Sequence, residues 1–156
     1  MTAISIPTGP AMRDRGAHIA RCCRPGDLVI LSGDLGAGKT TFVQGMGTGL
    51  GVTEQVTSPT FVIARVYPTS TGVDLVHVDA YRLGSTLELD DLDLDSDLAS
   101  AITVVEWGEG KVEQLSEDRV VITISRSDSD DDETRVMSVV GFGQRWDDAS
   151  LRELLA

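Results

Sequence analysis

The feature that most constrains the fold is the glycine-rich stretch GDLGAGKT at residues 33–40. It matches the pattern GxxxxGK[ST], in which backbone N–H groups turn inward around phosphates, the lysine reaches the outer phosphates and the next hydroxyl ligates Mg²⁺. Gly33, Gly38, Lys39 and Thr40 fill the four fixed places. The apolar run LVIL before the loop predicts a buried strand, and TTFVQGMGTGL after it predicts a helix whose N-terminus favours anions. We therefore expect a loop that binds a nucleoside triphosphate rather than a plain glycine turn.

The use of lysine supports this interpretation. The chain contains only two lysines, Lys39 and Lys111, and takes arginine for its other positive charges. A compact point charge on a flexible stem suits phosphate. One of the two lysines, Lys39, thus stands at the position of the loop motif that binds phosphate.

Composition excludes several classes of protein. The net charge of −12 argues against a broad nucleic-acid-binding face, because such affinity comes largely from Lys and Arg that neutralise phosphates. The adjacent cysteines Cys22 and Cys23 form neither a disulfide framework nor a four-ligand zinc site, which indicates a reducing cytosol. No apolar stretch approaches the roughly 20 residues of a membrane helix, and the N-terminus has no secretory pattern. We expect a cytoplasmic protein without membrane contact.

Hydrophobic periodicity predicts an α/β protein. Strands are expected at 3–7, 28–33, 56–68 after a turn at Pro59, 73–83, 101–107, 119–126 and 134–143, and helices at 10–23, 40–50 and 145–156. The strands at 56–68 and 73–83 should pair antiparallel, residues 85–98 should form a short helix with an acidic loop, and residues 127–133 a solvated turn. With 156 residues and no long linker, residues 1–156 are predicted to form a single domain. The fold class is an α/β, P-loop NTPase-like three-layer fold with a mixed central sheet and few helices.

Two acids follow apolar strands and are candidates for organising a metal or a water molecule. LVHVD ends in Asp79 and ITVVE ends in Glu106. Because ligands of α/β sheets bind beyond the carboxyl ends of the strands, both acids should lie near the phosphate loop. Without that loop, each would be an ordinary acid at the start of a turn. The residues alone leave open which of the two is the direct metal ligand.

Three further residues have weaker signals. Thr60, in the stretch SPTF, offers a hydroxyl to the γ-phosphate or its metal, as in segments that become ordered on triphosphate binding. Trp107 either stacks on a base or fills the core, and core filling is the default expectation. His77 lies inside an apolar strand and is expected to be a hydrogen-bonded structural residue rather than a catalytic one.

The absence of asparagine bears on which base the bound nucleotide carries. The chain has no Asn, so it cannot contain the Asn-Lys-x-Asp motif that reads guanine, and adenine is favoured. Two alternatives to an accessory ATPase remain. A small-molecule kinase would usually need a mobile, cationic lid, whereas this chain is acidic and sparse in arginine towards its C-terminus. A nucleotide-sensing subunit would use the triphosphate state to set partner binding without useful turnover.

Four motifs occur in a fixed order: GDLGAGKTTFVQGMGTGLG, SPTF, HVDAYRL and VEWGE. In this order and spacing the chain resembles the TsaE family, formerly YjeE, of bacterial tRNA threonylcarbamoyladenosine biosynthesis ATPases. The resemblance covers roughly residues 10–126. The acidic segment 127–133 and the tail after residue 134 match no pattern, and no role is transferred to them.

The resemblance implies a cytoplasmic ATPase that works with TsaD and TsaB when threonylcarbamoyl is added to N6 of adenosine 37 in tRNA. Its ATP cycle would reset the partner complex, and tRNA would be contacted through that complex. The implied cofactors are ATP and Mg²⁺, with Lys39 on the β- and γ-phosphates, Thr40 and Glu106 on the metal, and Asp79 near the attacking water. Together with the loop motif, this predicts a set of ATP-binding residues: Gly33, Asp34, Leu35, Gly36, Ala37, Gly38, Lys39, Thr40, Thr41, Thr60 and Trp107.

Overall fold

The computed structural model describes residues 2–34, 36–57, 64–80, 98–107, 116–126 and 133–156. The strands in these ranges are β1 (Thr2–Ile6), β2 (Leu28–Ser32), β3 (Ala64–Tyr67), β4 (Leu75–Asp79), β5 (Ile102–Glu106), β6 (Arg119–Arg126) and β7 (Arg135–Phe142). The α-helices are α1 (Gly9–Cys22), α2 (Lys39–Leu50) and α3 (Asp148–Leu155), with single 3₁₀ turns at Leu98–Ser100 and Gln144–Trp146.

The strands form one mixed sheet in the order β1-β7-β6-β2-β5-β4-β3. The four central strands, β6, β2, β5 and β4, run parallel to one another, and the outer pairings β1–β7, β6–β7 and β3–β4 are antiparallel. In sheets of this kind the crevice for a ligand opens at the carboxyl ends of the parallel strands. The central strand β2 leads directly into the glycine loop, so the loop emerges at that edge.

All three α-helices pack on the same face of the sheet. Their apolar residues join one buried cluster with alternate strand residues such as Leu31 on β2 and Val104 on β5. A second buried cluster on the opposite face contains the intervening residues, including Ile30 and Val105. The near-continuous burial of β2 and β5 fits strands that are covered on both faces. The described helices and the sheet form two of the three expected layers.

Glycines let α2 lie unusually close to α1. A side chain at Gly45 of α2 would meet the backbone of Arg13, and one at Gly16 of α1 would meet the backbone carbonyl of Phe42. At the other end of the contact, Gly49 lies against the backbone of Ala17. Because these positions carry no Cβ, the two helix backbones can approach each other directly. This packing fixes the direction in which the N-terminus of α2 points.

The predicted α/β class, mixed sheet and low helix content are confirmed, as is the antiparallel pairing of β3 with β4. Within the described residues β4 is shorter than predicted, since it runs from Leu75 to Asp79, and the predicted strand residues 58–63 and 81–83 lie outside the described residues. The predictions for 127–132 and for most of 85–98 lie outside the described residues. Cys22 and Cys23 are both free thiols. None of the helices among the described residues is long and apolar enough to cross a bilayer.

Candidate active site

The glycine loop adopts backbone conformations that require glycine at its two ends. Gly38, the N-cap of α2, has a φ of 111°, and Gly33 has a φ of 146°. A Cβ at Gly33 would also collide with the backbone carbonyl of Ile124 on β6. The N-cap Gly38 has no side chain, so no N-cap side chain accepts from the first N–H groups of α2 among the described residues. The predicted loop geometry therefore leaves donors available where an anion would bind.

Lys39 folds back over the loop. Its Nζ donates to the carbonyl oxygen of Gly33 and, at 3.4 Å, to that of Asp34. The same ammonium lies 3.8 Å from the ring centroid of Trp107. Lys39 is 6% exposed. Its charge is thus held by backbone dipoles and an aromatic face, which are weaker partners than a carboxylate.

The two strand-ending acids lie side by side at the loop edge of the sheet. Asp79 of β4 and Glu106 of β5 are register partners, and Glu106 is also the register partner of Leu31 at the end of β2. Burial lowers the pKa of Lys39, while the charges of Glu106, Asp34 and Asp79 act in the opposite direction. Both acids are therefore within electrostatic reach of the lysine, as the strand positions predicted.

Glu106 has a partner that the sequence did not identify. Its Oε2 lies 2.5 Å from Nε2 of His77, and the side chains of His77 and Glu106 are 0% and 5% exposed. The two residues come from adjacent strands and are diagonal neighbours, since Val104 is the register partner of His77. His77 is hydrogen-bonded, as predicted, but its partner is a candidate metal ligand. Only the parallel register of β4 and β5 could have signalled this pairing.

Trp107 occupies a strained position at the end of β5. Its φ of 59° places Trp107 in the left-handed region. Among the described residues, no other non-glycine residue has a positive φ. Its side chain is half-buried, and its ring lies against Lys39. The default expectation of core filling is therefore wrong for Trp107. Strain of this kind concentrates at functional sites because the surrounding structure must maintain it.

An open cavity of about 160 Å³ lies beside the loop. One wall consists of Gly36, Ala37, Gly38 and Thr41 from the loop and the first turn of α2, and the other walls come from the start of α1 and the start of β7. On the β7 side, Nε of Arg135 donates to the carbonyl oxygen of Ala37 at 3.2 Å. No motif in the sequence singled out Arg135, since it belongs to the tail that matched no pattern.

The donor groups fit a magnesium ion that is shared with phosphates. Thr40 supplies a hydroxyl and Glu106 a carboxylate, which are the hard oxygen ligands that Mg²⁺ prefers. Within the described residues there is no cluster of three or more His, Cys, Asp or Glu side chains that could enclose a metal. A site with few protein ligands is typical of Mg²⁺ that also binds substrate phosphates and water. Leu35 and Thr60, two of the predicted ATP-binding residues, lie outside the described residues.

Comparison with known proteins adds to this geometry. Residues 6–136 match the family model described as "Threonylcarbamoyl adenosine biosynthesis protein TsaE". The chain belongs to the TsaE family. A TsaE protein of Streptomyces coelicolor is 56% identical over 146 residues, which cover 92% of this chain and 99% of the relative. A TsaE protein of Bacillus subtilis is 41% identical over 130 residues, covering 82% of this chain and 78% of the relative.

A solved structure agrees with this TsaE assignment. The crystal structure of Bacillus subtilis YdiB superimposes with a TM-score of 0.79 at 31% sequence identity. The match covers 99% of this chain and 93% of YdiB. The family resemblance seen in the four motifs is thus confirmed, and the TsaE family connects the protein with threonylcarbamoyladenosine biosynthesis in tRNA.

Proposed function

We propose that this TsaE-family protein binds Mg·ATP at the glycine loop and hydrolyses it to ADP and phosphate in support of tRNA threonylcarbamoylation. The observation that carries the proposal is the convergence of Lys39, Asp79 and Glu106 at the uncapped N-terminus of α2. A binding loop alone would need only the lysine and the helix. Turnover also requires groups that organise a metal and an attacking water, and two carboxylates stand at the place where they would act.

Each residue has a distinct role in this proposal. Lys39 leaves the loop carbonyls and binds the β- and γ-phosphates, because a phosphate oxygen is a stronger acceptor for an ammonium than a carbonyl. Thr40 and Glu106 hold Mg²⁺, which neutralises charge on the phosphates when bound. Asp79 orients the attacking water, and Thr60 contacts the γ-phosphate.

The cavity beside the loop is proposed to receive the nucleoside. It continues from Thr41 past the loop glycines, so a chain of phosphates on the helix N-terminus would lead into it. The lack of an asparagine-based guanine motif favours adenine. Trp107, at the other side of Lys39, is proposed to shield the triphosphate.

The partners are proposed to be TsaD and TsaB, with tRNA contacted indirectly. A net charge of −12 disfavours direct binding of tRNA, because phosphates repel an acidic surface. Relatives named as threonylcarbamoyladenosine biosynthesis proteins support the pathway. An accessory ATPase can act on the partner complex without touching the nucleic acid itself.

The test measures ATP binding by calorimetry with Mg²⁺, in the wild type and in Lys39→Ala. We expect binding by the wild type and its loss in Lys39→Ala. Arg21→Ala is the matched control, since it removes an exposed positive charge from the last turn of α1. Absence of binding by the wild type would contradict the proposal.

A second measurement separates the accessory ATPase from the alternatives. Free phosphate should appear when ATP is mixed with the protein and its partners, and a phosphorylated small molecule without free phosphate would identify a kinase instead. Partner affinity should differ between ATP and ADP, because a ligand shifts an equilibrium only by its differential affinity. Tight, state-dependent binding without hydrolysis would identify a nucleotide sensor.

A further inference from the structure

His77 is completely buried, yet only one of its ring nitrogens has a partner. Nε2 contacts the carboxylate of Glu106 at 2.5 Å, whereas Nδ1 is buried and has no hydrogen-bond partner among the described residues. His77 lies in the middle of strand β4, between apolar residues, with one ring nitrogen that makes no hydrogen bond to the described residues. Burying an unpaired polar atom costs free energy. A purely structural role would be served better by an apolar side chain.

The contact determines where the ring proton must be. An ionised carboxylate only accepts hydrogen bonds, so Nε2 has to donate to Glu106. Nδ1 then carries a lone pair, and an unpaired acceptor is a smaller burden than an unpaired N–H. The opposite tautomer would place two lone pairs against each other and leave a buried donor without a partner. The contact therefore favours a ring proton on Nε2, directed at the Glu106 carboxylate.

The same contact keeps Glu106 apart from Lys39. Burial lowers the pKa of Lys39 and the charge of Glu106 acts against that lowering, because the two opposite charges attract each other, and both groups are buried. In such a desolvated setting opposite charges attract each other more strongly than they do in water. No ion pair joins Lys39 to Glu106 in the described part of the chain. Oε2 of Glu106 contacts His77 of strand β4 instead.

We propose that His77 is a positioning residue that holds the Glu106 carboxylate through an Nε2–H hydrogen bond, away from Lys39 and ready for Mg²⁺. The inference rests on the proposed function, because it gives Glu106 the role of a metal ligand. Residues that hydrogen-bond a metal ligand orient it and tune its affinity. Without His77, the Glu106 carboxylate would lose its fixed orientation and would no longer be held ready for Mg²⁺.

The test compares two variants of similar size. His77→Gln can place an amide N–H where Nε2 lies, whereas His77→Met fills the space without a donor. We expect His77→Met to lose about 10- to 100-fold in the Mg²⁺-dependent part of ATP affinity, the usual cost of removing such a partner. ATP affinity measured with EDTA should stay unchanged, and His77→Gln should remain close to the wild type. An equal response to Mg²⁺ in the wild type and His77→Met would overturn the inference.

Stability is controlled with Val104→Ala. Val104 is the buried register partner of His77, so this variant weakens the same part of the sheet without removing a polar group. It should lower the thermal midpoint and leave the response to Mg²⁺ intact. If His77→Met does not fold, His77→Asn replaces it, because the shorter amide cannot reach Glu106. A normal response to Mg²⁺ in His77→Asn would then overturn the inference.

A spectroscopic measurement on the nucleotide-free protein needs no enzyme activity. The chain has only two histidines, His18 and His77, so long-range ¹H–¹⁵N spectra of the imidazoles can be assigned with His77→Gln. The His77 ring should carry its proton on Nε2, and Glu106→Gln should shift that resonance. A proton on Nδ1 would overturn the inference. Failure of the wild type to bind Mg·ATP would overturn the proposed function itself, and it is recognised without any variant of His77.

Discussion

Charged side chains have different kinds of partner at the two ends of strand β2. At its start, Asp27 pairs with Arg145 in a bidentate contact, with Nε at 3.0 Å from Oδ1 and Nη2 at 2.9 Å from Oδ2. At its end, the buried charges of Lys39 and Glu106 are held by a loop carbonyl and by His77 rather than by each other. Both ends contain opposite charges in a desolvated setting. Only the first end lets them neutralise each other.

The difference separates a structural use of charge from a functional one. Arg145 also donates to the carbonyl oxygen of Cys22 and stacks on Trp146, so it joins the C-terminal segment to the end of α1. That pair satisfies its own hydrogen bonds and has little capacity left for a ligand. The loop end keeps its charges separate, and in the proposed function these charges bind phosphate and metal. Variants at the loop end should therefore lose activity, whereas variants at the start of β2 should lose stability.

The largest effect is expected at the loop end. Glu106→Gln removes the charge but can still contact His77, so the fold should survive while hydrolysis falls on the order of 10²- to 10³-fold, as when one preorganised charge-stabilising group is lost. Steady-state phosphate release measures the rate, and a thermal melt checks the fold. Full activity in Glu106→Gln would show that the carboxylate is not needed there.

The opposite outcome is expected at the start of β2. Asp27→Ala leaves the partly buried Arg145 without its carboxylate partner, which should lower the free energy of unfolding by about 3 kcal/mol. Phosphate release per folded molecule should stay unchanged. Urea denaturation gives the stability, and the double variant Asp27→Leu with Arg145→Met should recover part of it because no charge remains unpaired. A loss of activity without a loss of stability in Asp27→Ala would contradict the structural role of this ion pair.

A backbone change at the loop should affect both assays. Gly33→Ala introduces a Cβ at a φ of 146° and against Ile124, so we expect a destabilisation of about 1–3 kcal/mol together with loss of ATP binding. Gly72→Ala is the matched control. Gly72 also has a positive φ, but a Cβ there meets nothing within 4 Å. Calorimetry should find normal ATP affinity in Gly72→Ala and none in Gly33→Ala.

The smallest effect is expected at the N-cap of α3, near the paired end. Oδ1 of Asp147 accepts from the backbone N–H of Ser150 at 2.8 Å, and this hydrogen bond lowers the pKa of Asp147. A carboxyl group with a lowered pKa in the folded state stabilises the protein above its unfolded pKa, and that contribution is lost as pH falls through the folded value. Thermal midpoints of the wild type and Asp147→Ala should therefore differ at neutral pH and converge in acid.

Sequence reasoning was most successful where one short segment carries the whole signal. The loop from Gly33 to Thr40 needs only its own glycines and the helix that follows, so its pattern could be recognised directly. The strand ends at Asp79 and Glu106 were also predictable, because apolar runs in an α/β chain end at the ligand edge. His77 and Arg135 were not, since their partners are far away in the chain.

The sequence by itself determined the phosphate loop, the α/β class and the family of this protein, because these depend on local residue order and on the period of apolar residues. Only the tertiary structure decided that His77 binds Glu106, that Lys39 lies on Trp107 and that Arg135 supports the loop at Ala37. These contacts arise from strand register and helix packing, which bring together residues that no spacing in the chain connects. Local pattern thus identified the groups, and packing determined which of them meet.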